Sequence, residues 1–315
     1  MKIKRIYDPA IQNQASMIPL FDVSNPDVAR EQLNAFYQHL AAIGVKRPED
    51  DRVEEISQSV SRQDGSNIPI RIYMPKDRRD AGPCFINFHM GGFILGDLEM
   101  EHVRALNMAA RGGAVAIGVD YRLAPEHPFP AGVEDCYDVL NWVWKNAKEL
   151  KVDASRIAVG GGSAGGNLTA AVALMARDNN GPKIAYQMLF YPVLDDTCST
   201  WSMKNGGEAY IWNTQNTSDM WKHYLGADRA NISPYAAPIR AEDMSHLPPA
   251  YIMTCEHDVF RDEGILYATK LLTAGVPVEL HNYPGTVHGF DLLIDSEISR
   301  RAMDDGIEAF KKAMI

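Results

Sequence analysis

Gly161-Gly162-Ser163-Ala164-Gly165 sets one hydroxyl among glycines, between the apolar run IAVG and the helix-like AGGNLTAAVALMARD. Glycine inside a strand or helix is unfavourable by about 0.5–1 kcal/mol, so five of them from Gly160 to Gly166 need a reason. A strand-to-helix turn supplies one: at its tip the chain is strained, its flanks nearly touch, and the serine hydroxyl projects beside a helix N-terminus. A phosphate-binding loop is a poorer fit. The run lacks the G-x-G-x-x-G spacing with a later ribose acid, and it lacks the lysine of a P-loop.

A serine hydroxyl is a weak nucleophile and needs a base, which in turn needs an orienting acid. Of nine histidines, His288 lies in the glycine-flanked PGTVHGF, well past the extended run VELHNY, whereas His281 falls inside that run. Asp258 follows AYIMTC in the segment TCEHD and is the expected acid, with Glu256 as its competitor. Asp262 and Glu263 read as first-turn residues of the next helix, where negative charge is favoured. FHMGGF, residues 88–93, follows another apolar run and offers the N–H groups of Gly91 and Gly92 to a developing oxyanion. Ala164, directly after the serine, offers a third. His89 is read as a brace for the glycine loop. Together these residues describe acyl transfer through a covalent intermediate on Ser163, with no metal and no cofactor.

The elements around them must present all three groups at one edge. CFINFH, AVAIGVD, RIAVG, KIAYQMLFY, AYIMTC and VELHNY are short buried-type strands, separated for the most part by helical stretches at 99–110, 131–149, 164–178 and 260–274. That alternation predicts an α/β fold with a mostly parallel sheet covered on both faces. Before it, VEEISQSVSR and NIPIRIY read as a hairpin through Asp64-Gly65, with Pro69 suited to an edge strand. An N-terminal helix follows a cap at Ser24 or Asn25, has Pro26 in its first turn and ends before Gly44. Its apolar stripe is Leu33, Phe36, Leu40 and Ile43. Almost sixty residues separate KIAYQMLFY from AYIMTC, too many for a bare loop. We therefore divide the chain into an N-terminal cap portion (1–50), a core (51–193), a cap insertion (194–231) containing the short helix SDMWKHYLG, and the remaining core (232–315). Trp201, Tyr210, Trp212 and Trp221 of the insertion, with Met90 below, are the expected substrate-pocket residues.

Composition narrows the partners. The 315 residues carry a formal charge of −10 without a basic block, which disfavours nucleic acid and anionic membranes. No apolar leader or run of membrane-spanning length is evident. Cys84, Cys136, Cys198 and Cys255 lack CxxC spacing and read as thiols of a reducing cytoplasm. The expected partner is a small molecule. If the chain assembles with itself, a homodimer is the expected form.

These motifs resemble the hormone-sensitive-lipase-like family of α/β-hydrolases, from about residue 50 onward. His89-Met90-Gly91-Gly92 resembles the family's HGGG loop, and Gly161 to Gly166 resembles its GDSAGG elbow. DYRLAPEHPFPA (120–131), the segment Asp258 to Gly264 and the HGF at 288–290 are also similar to family hallmarks. The resemblance implies an eight-stranded sheet with a helical cap, and hydrolysis of short- to medium-chain esters by Ser163, Asp258 and His288. An amidase or small-metabolite deacetylase would use the same residues. A receptor-like binding protein on this scaffold is a more distant alternative, since His288 is present. Two positions depart from the family: Met90 stands for a glycine, and Gly162 for the aspartate before the nucleophile. If the vacated space is open, Gly162→Asp should be accommodated.

Overall fold

The computed structural model describes residues 5–62, 64–226, 230–292 and 296–315. Two helices open the chain, α1 (Pro9–Ala15) and α2 (Pro26–Ala42). The hairpin β1 (Val53–Ser61) and β2 (Asn67–Pro75) leads to β3 (Gly82–Phe88), α3 (His102–Ala110), β4 (Val115–Val119) and α4 (Ala131–Lys145). Next come β5 (Val152–Gly162), α5 (Ala164–Asp178) and β6 (Tyr186–Phe190). The insertion contributes α6 (Trp201–Lys204) and α7 (Thr214–Leu225); its residues 227–229 lie outside the described residues. The chain closes with β7 (Ala250–Cys255), α8 (Arg261–Thr273), β8 (Val278–Tyr283) and α9 (Glu297–Ala313).

All eight strands form one sheet in the order β1-β2-β4-β3-β5-β6-β7-β8. From β4 to β8 every neighbour is parallel, whereas β1–β2 and β2–β4 are antiparallel. The inner strands β4, β6 and β7 are buried at every position, as a sheet covered on both faces requires. Helices α4, α5 and α8 bury their apolar faces on one side, in a core that continues into the cap through Met203, Trp212 and Trp221. Helices α1, α3 and α9 cover the other side.

Two expectations change. Pro69 is not on an edge strand: β2 pairs with β1 and β4, and β1 is the edge. Proline is tolerated because β4 runs out there. Ile70 faces Val119, the last paired residue, and the Pro69 carbonyl accepts a lone bond from Asp120 N–H at 3.0 Å. The stripe on α2 is only partly used. Leu33 is buried and Phe36 and Leu40 are half-buried, but Ile43 is 62% exposed. The helix is pinned near its start, where the Arg30 guanidinium donates to the Ile94 and Ala124 carbonyls and pairs with Glu126 at 2.7 Å. Asn25, not Ser24, caps it. Helix α7 begins at Thr214, capped by Asn213, four residues ahead of SDMWKHYLG.

The N-terminal segment meets the insertion directly. His223 Nε2–H donates to the Val23 carbonyl at 3.1 Å, Arg5 donates to Asn205 O at 2.6 Å, and the Tyr7 and Tyr210 rings meet edge-on at 5.2 Å. Two acids in the first turn of α8 hold the foot of the insertion. Asp262 accepts from Ser202 N–H at 2.8 Å, and buried Glu263 accepts from Leu194 N–H at 3.0 Å and Asp195 N–H at 3.2 Å.

Candidate active site

The glycine run is explained by contact. Strand β5 ends against β3, and added Cβ atoms at Gly161 and Gly165 would each collide with the Phe88 carbonyl. One at Gly166 would stand 2.8 Å from Pro192 Cβ. Between them Ser163 sits at φ 56°, ψ −117°, a conformation that a side-chain-bearing residue rarely adopts and that persists only when its surroundings enforce it. Its N–H donates to the Phe190 carbonyl at 2.9 Å, locking the elbow to the end of β6.

The structure brings Ser163, His288 and Asp258 together. His288 Nδ1 lies 2.7 Å from Asp258 Oδ2, and His288 Nε2 lies 2.9 Å from Ser163 Oγ. A carboxylate only accepts, so Nδ1 carries the proton and Nε2 is left to accept from the hydroxyl. Asp258 also accepts from Phe260 N–H at 3.1 Å, which fixes its orientation at the carboxyl end of β7. Glu256 is turned away: it accepts from Gly285 N–H at 2.7 Å. His281 stays on β8, with Nε2 2.9 Å from Glu279. Tyr191, Phe260 and Trp212 surround the His288 ring at centroid distances of 4.9, 5.2 and 6.4 Å. Ser163 and His288 are only 3% and 4% exposed.

Among the described residues, the N–H groups of Gly91, Gly92 and Ala164 have no acceptor within the chain. Ala164 opens α5, where the first N–H groups of a helix have no intrahelical partner. Gly91 and Gly92 have φ of 124° and 60°, and a Cβ at 92 would stand 2.6 Å from Trp212 Cη2. His89 braces this loop. Its ring stacks on Tyr121 at 4.1 Å, its Nδ1–H donates to the Met90 carbonyl at 2.7 Å, and Tyr121 OH donates to the His89 carbonyl at 2.8 Å. Burial pushes the His89 imidazole down to about 4, so it is neutral at pH 7.

The expected pocket residues separate. Trp212 lies over Gly92 and His288, and its indole N–H donates to Thr217 Oγ1 at 3.0 Å. Trp221 is buried inside the cap against Phe93 and Tyr224. Tyr210 and Met90 are half-buried. Trp201 is not brought to the site: it is 51% exposed and lies along α8 beside Arg261, Ile265 and Leu266.

Gly162 overturns an expectation. A Cβ there would stand 2.6 Å from Glu101 Oε1 and 2.9 Å from Tyr191 Cε2, so the vacated space is filled. Sequence reasoning passed over Glu101, Arg104, Tyr191 and Asp291, which surround this point. The missing aspartate at 162 was itself a signal to look for a carboxylate from elsewhere.

A serine hydroxyl within hydrogen-bond reach of an imidazole that a carboxylate holds on its other side is an arrangement that can support acyl transfer. Residues 85–292 match a family model described as the alpha/beta hydrolase fold. The chain belongs to that family. Carboxylesterase NlhH of Mycobacterium tuberculosis is 40% identical over 268 residues, covering 84% of this chain and 83% of the relative. An ethyl acetate hydrolase of Pseudomonas putida is 32% identical over 269 residues, covering 84% and 82%. The solved structure of a bacterial heroin esterase superposes with a TM-score of 0.93 at 38% identity, covering 98% of both chains. This α/β-hydrolase is of the hormone-sensitive-lipase-like type, and it is a serine carboxylesterase. Among its described residues, no group of three or more histidine, cysteine or acidic side chains is placed to hold a metal ion. No described helix is long and apolar enough to cross a membrane.

Proposed function

We propose that Ser163 is the nucleophile of this carboxylesterase, His288 its general base and acid, and Asp258 the residue that orients His288. The observation that carries this reading is the continuous relay from Asp258 Oδ2 to His288 (2.7 Å) to Ser163 Oγ (2.9 Å). Ser163 Oγ attacks the ester carbonyl as His288 Nε2 takes its proton. The N–H groups of Gly91, Gly92 and Ala164 receive the oxygen as it becomes negative, at a place where Ser163 and His288 are almost fully buried, which strengthens each bond. His288 then protonates the departing alcohol. Water, deprotonated by the same imidazole, bonds to the acyl carbon; the bond to Ser163 Oγ breaks, the imidazolium returns its proton to Oγ, and the acid leaves.

The substrate in this proposal is a short- to medium-chain ester of a small molecule. Trp212 over Gly92 leaves little depth above the donors, and the Pseudomonas putida relative is named for an acetate ester. Buried thiols at Cys84, Cys136 and Cys255 support action in a reducing compartment such as the cytoplasm. The experiment is rapid mixing with p-nitrophenyl acetate. A burst of nitrophenol equal to the enzyme concentration is expected, and a serine-directed phosphonate should abolish it. Full turnover after complete phosphonate labelling of Ser163 would overturn the assignment.

A further inference from the structure

A cluster of buried charges lies directly behind the nucleophile elbow. Glu101, Arg104, Tyr191 and Asp291 are all buried there. They come from the start of α3, the end of β6 and the loop after His288. Glu101 Oε1 accepts the Gly162 N–H at 2.9 Å, and Oε2 accepts from Arg104 Nε at 2.5 Å. Arg104 Nη2 reaches Asp291 Oδ2 at 3.0 Å and the Tyr191 hydroxyl at 3.1 Å. That hydroxyl donates to Asp291 Oδ1 at 2.8 Å, while the Tyr191 ring meets His288 edge-on. The guanidinium carbon also lies 3.6 Å above the Phe190 ring, whose backbone carbonyl holds Ser163 N–H.

One guanidinium thus joins a carboxylate that holds the backbone before Ser163 to a carboxylate on the segment that carries His288. Glu101 grips the residue before the nucleophile. Asp291 lies three residues beyond the base. Buried charges are retained at such depth only when paired, and breaking one member of a pair is strongly destabilising. A register between elbow and base therefore follows from this cluster, because displacing either segment would strand a charge. It also accounts for Gly162. Glu101 Oε1 already fills the space where a side chain at 162 would begin.

We propose that Glu101, with Arg104 and Asp291, forms a set of positioning residues for Ser163 and His288, and that Glu101 supplies from α3 the carboxylate that position 162 lacks. The proposal rests on the triad assignment above. The set touches no substrate; it holds His288 where it takes the serine proton in acylation and the water proton in deacylation, so its loss slows both steps and appears in kcat and not in KM.

The test exchanges the carboxylate between the two positions, reading kcat and KM on p-nitrophenyl acetate, per site titrated with phosphonate. Glu101→Gln keeps the shape and should lower kcat about tenfold with KM unchanged. Glu101→Ala should lower it about a hundredfold. Gly162→Asp in the native background should also fall at least tenfold, because two carboxylates then crowd one place. The Glu101→Ala/Gly162→Asp double variant should recover to within about threefold of wild type, whereas Glu101→Ala/Gly162→Asn should not. Recovery by asparagine equal to that by aspartate would reduce the effect to filled space and overturn the proposal. So would a double variant no better than Glu101→Ala, or Glu101→Gln within twofold of wild type. If Glu101→Ala does not fold, Glu101→Gln alone decides by the same criterion. Wild-type labelling and burst test the triad separately, since every variant is read only as a ratio to wild type.

Discussion

The carboxyl edge of the sheet and the cap above it are built on different principles. At the edge, Ser163, His288, Asp258 and the glycine loop are each fixed by at least one short bond, and the bonds run into one another through β3, β5, β6 and β7. The cap is attached at separate points: Arg30 on the Ile94 and Ala124 carbonyls, His223 on Val23, and Glu263 on Leu194 and Asp195. Its interior is aromatic stacking, with Phe93 and Tyr224 rings 3.7 Å apart. A connected polar network defines one geometry, while apolar packing tolerates repacking of similar volume. Substitutions at the edge should therefore change kcat, and substitutions in the cap should change which esters are accepted.

The triad gives the sharpest form of that contrast. Ser163→Ala and His288→Ala should each lower kcat by about 10⁴–10⁶, with the double variant hardly worse than either, because the residues act as a unit. Asp258→Asn should lower it about 10⁴-fold by favouring the wrong imidazole tautomer. Steady-state turnover with each variant measures this. A collapse for Glu256→Gln alongside a near-native Asp258→Asn would break the assignment of the acid.

Next in size comes the glycine loop. Gly92→Ala adds a Cβ beside Trp212 at φ 60°, a backbone region strained for alanine. Displacing one donor from an oxyanion should cost about 10²–10³ in kcat. Acylation rates from stopped flow would show it, with KM changed far less. Loss confined to KM would move Gly92 from the edge's principle to the cap's.

How these regions read from the sequence follows from the same difference. The elbow and the HMGG loop were legible because tight turns and close backbone approach demand glycine at fixed spacing, which a sequence displays. The order Ser163, Asp258, His288 was legible because each follows its own strand. The cluster of Glu101, Arg104 and Asp291 was not. Glu101 and Asp291 are joined by Arg104 across 190 residues of chain, and only the i,i+3 spacing of Glu101 and Arg104 hinted at a pair. Nor were the cap's inner and outer faces. Trp201 and Trp212 have the same side chain in the same segment, and only packing sends one outward along α8 and the other over Gly92. The unused end of the α2 stripe at Ile43 has the same cause: amphipathic spacing names a face, and the tether at Arg30 decides how much of it is covered.

A smaller effect concerns stability at the edge. Burial holds His89 neutral in the folded chain down to about pH 4, whereas in the unfolded chain it titrates near 6.5. Above 6.5 both states are neutral and pH has no leverage. Between 6.5 and 4 the unfolded chain binds a proton that the folded chain refuses, so stability falls by about 1.4 kcal/mol per pH unit and levels off below 4. Other acidic groups titrate in that window, so the comparison must be with His89→Gln, which cannot titrate. Urea unfolding of both proteins at pH 7 and pH 5 should show wild type losing about 2 kcal/mol more than the variant. Equal losses would mean that His89 is protonated in place, and that its brace on the Met90 carbonyl survives a charge.

The cap carries the smallest and most selective expectation. Trp212 stands over both Gly92 and His288. Its indole N–H is held by Thr217, five residues along the same segment. Trp212→Ala should therefore leave Ser163, His288 and the three N–H donors in place and open space above them. Each acyl methylene that enters this space should gain about 0.8 kcal/mol, close to fourfold in kcat/KM. Wild type should favour acyl chains of two to six carbons among p-nitrophenyl esters, and Trp212→Ala should move the optimum longer by two or more carbons. Acetate turnover should stay within a few-fold. Trp201→Ala, measured alongside, should move nothing, because that ring faces Arg261 on the outside of α8. An optimum at twelve carbons in wild type would mean that Trp212 is no wall. A hundredfold fall in acetate turnover for Trp212→Ala would mean that the cap helps to hold the imidazole, and the division between edge and cap would then run through His288 itself.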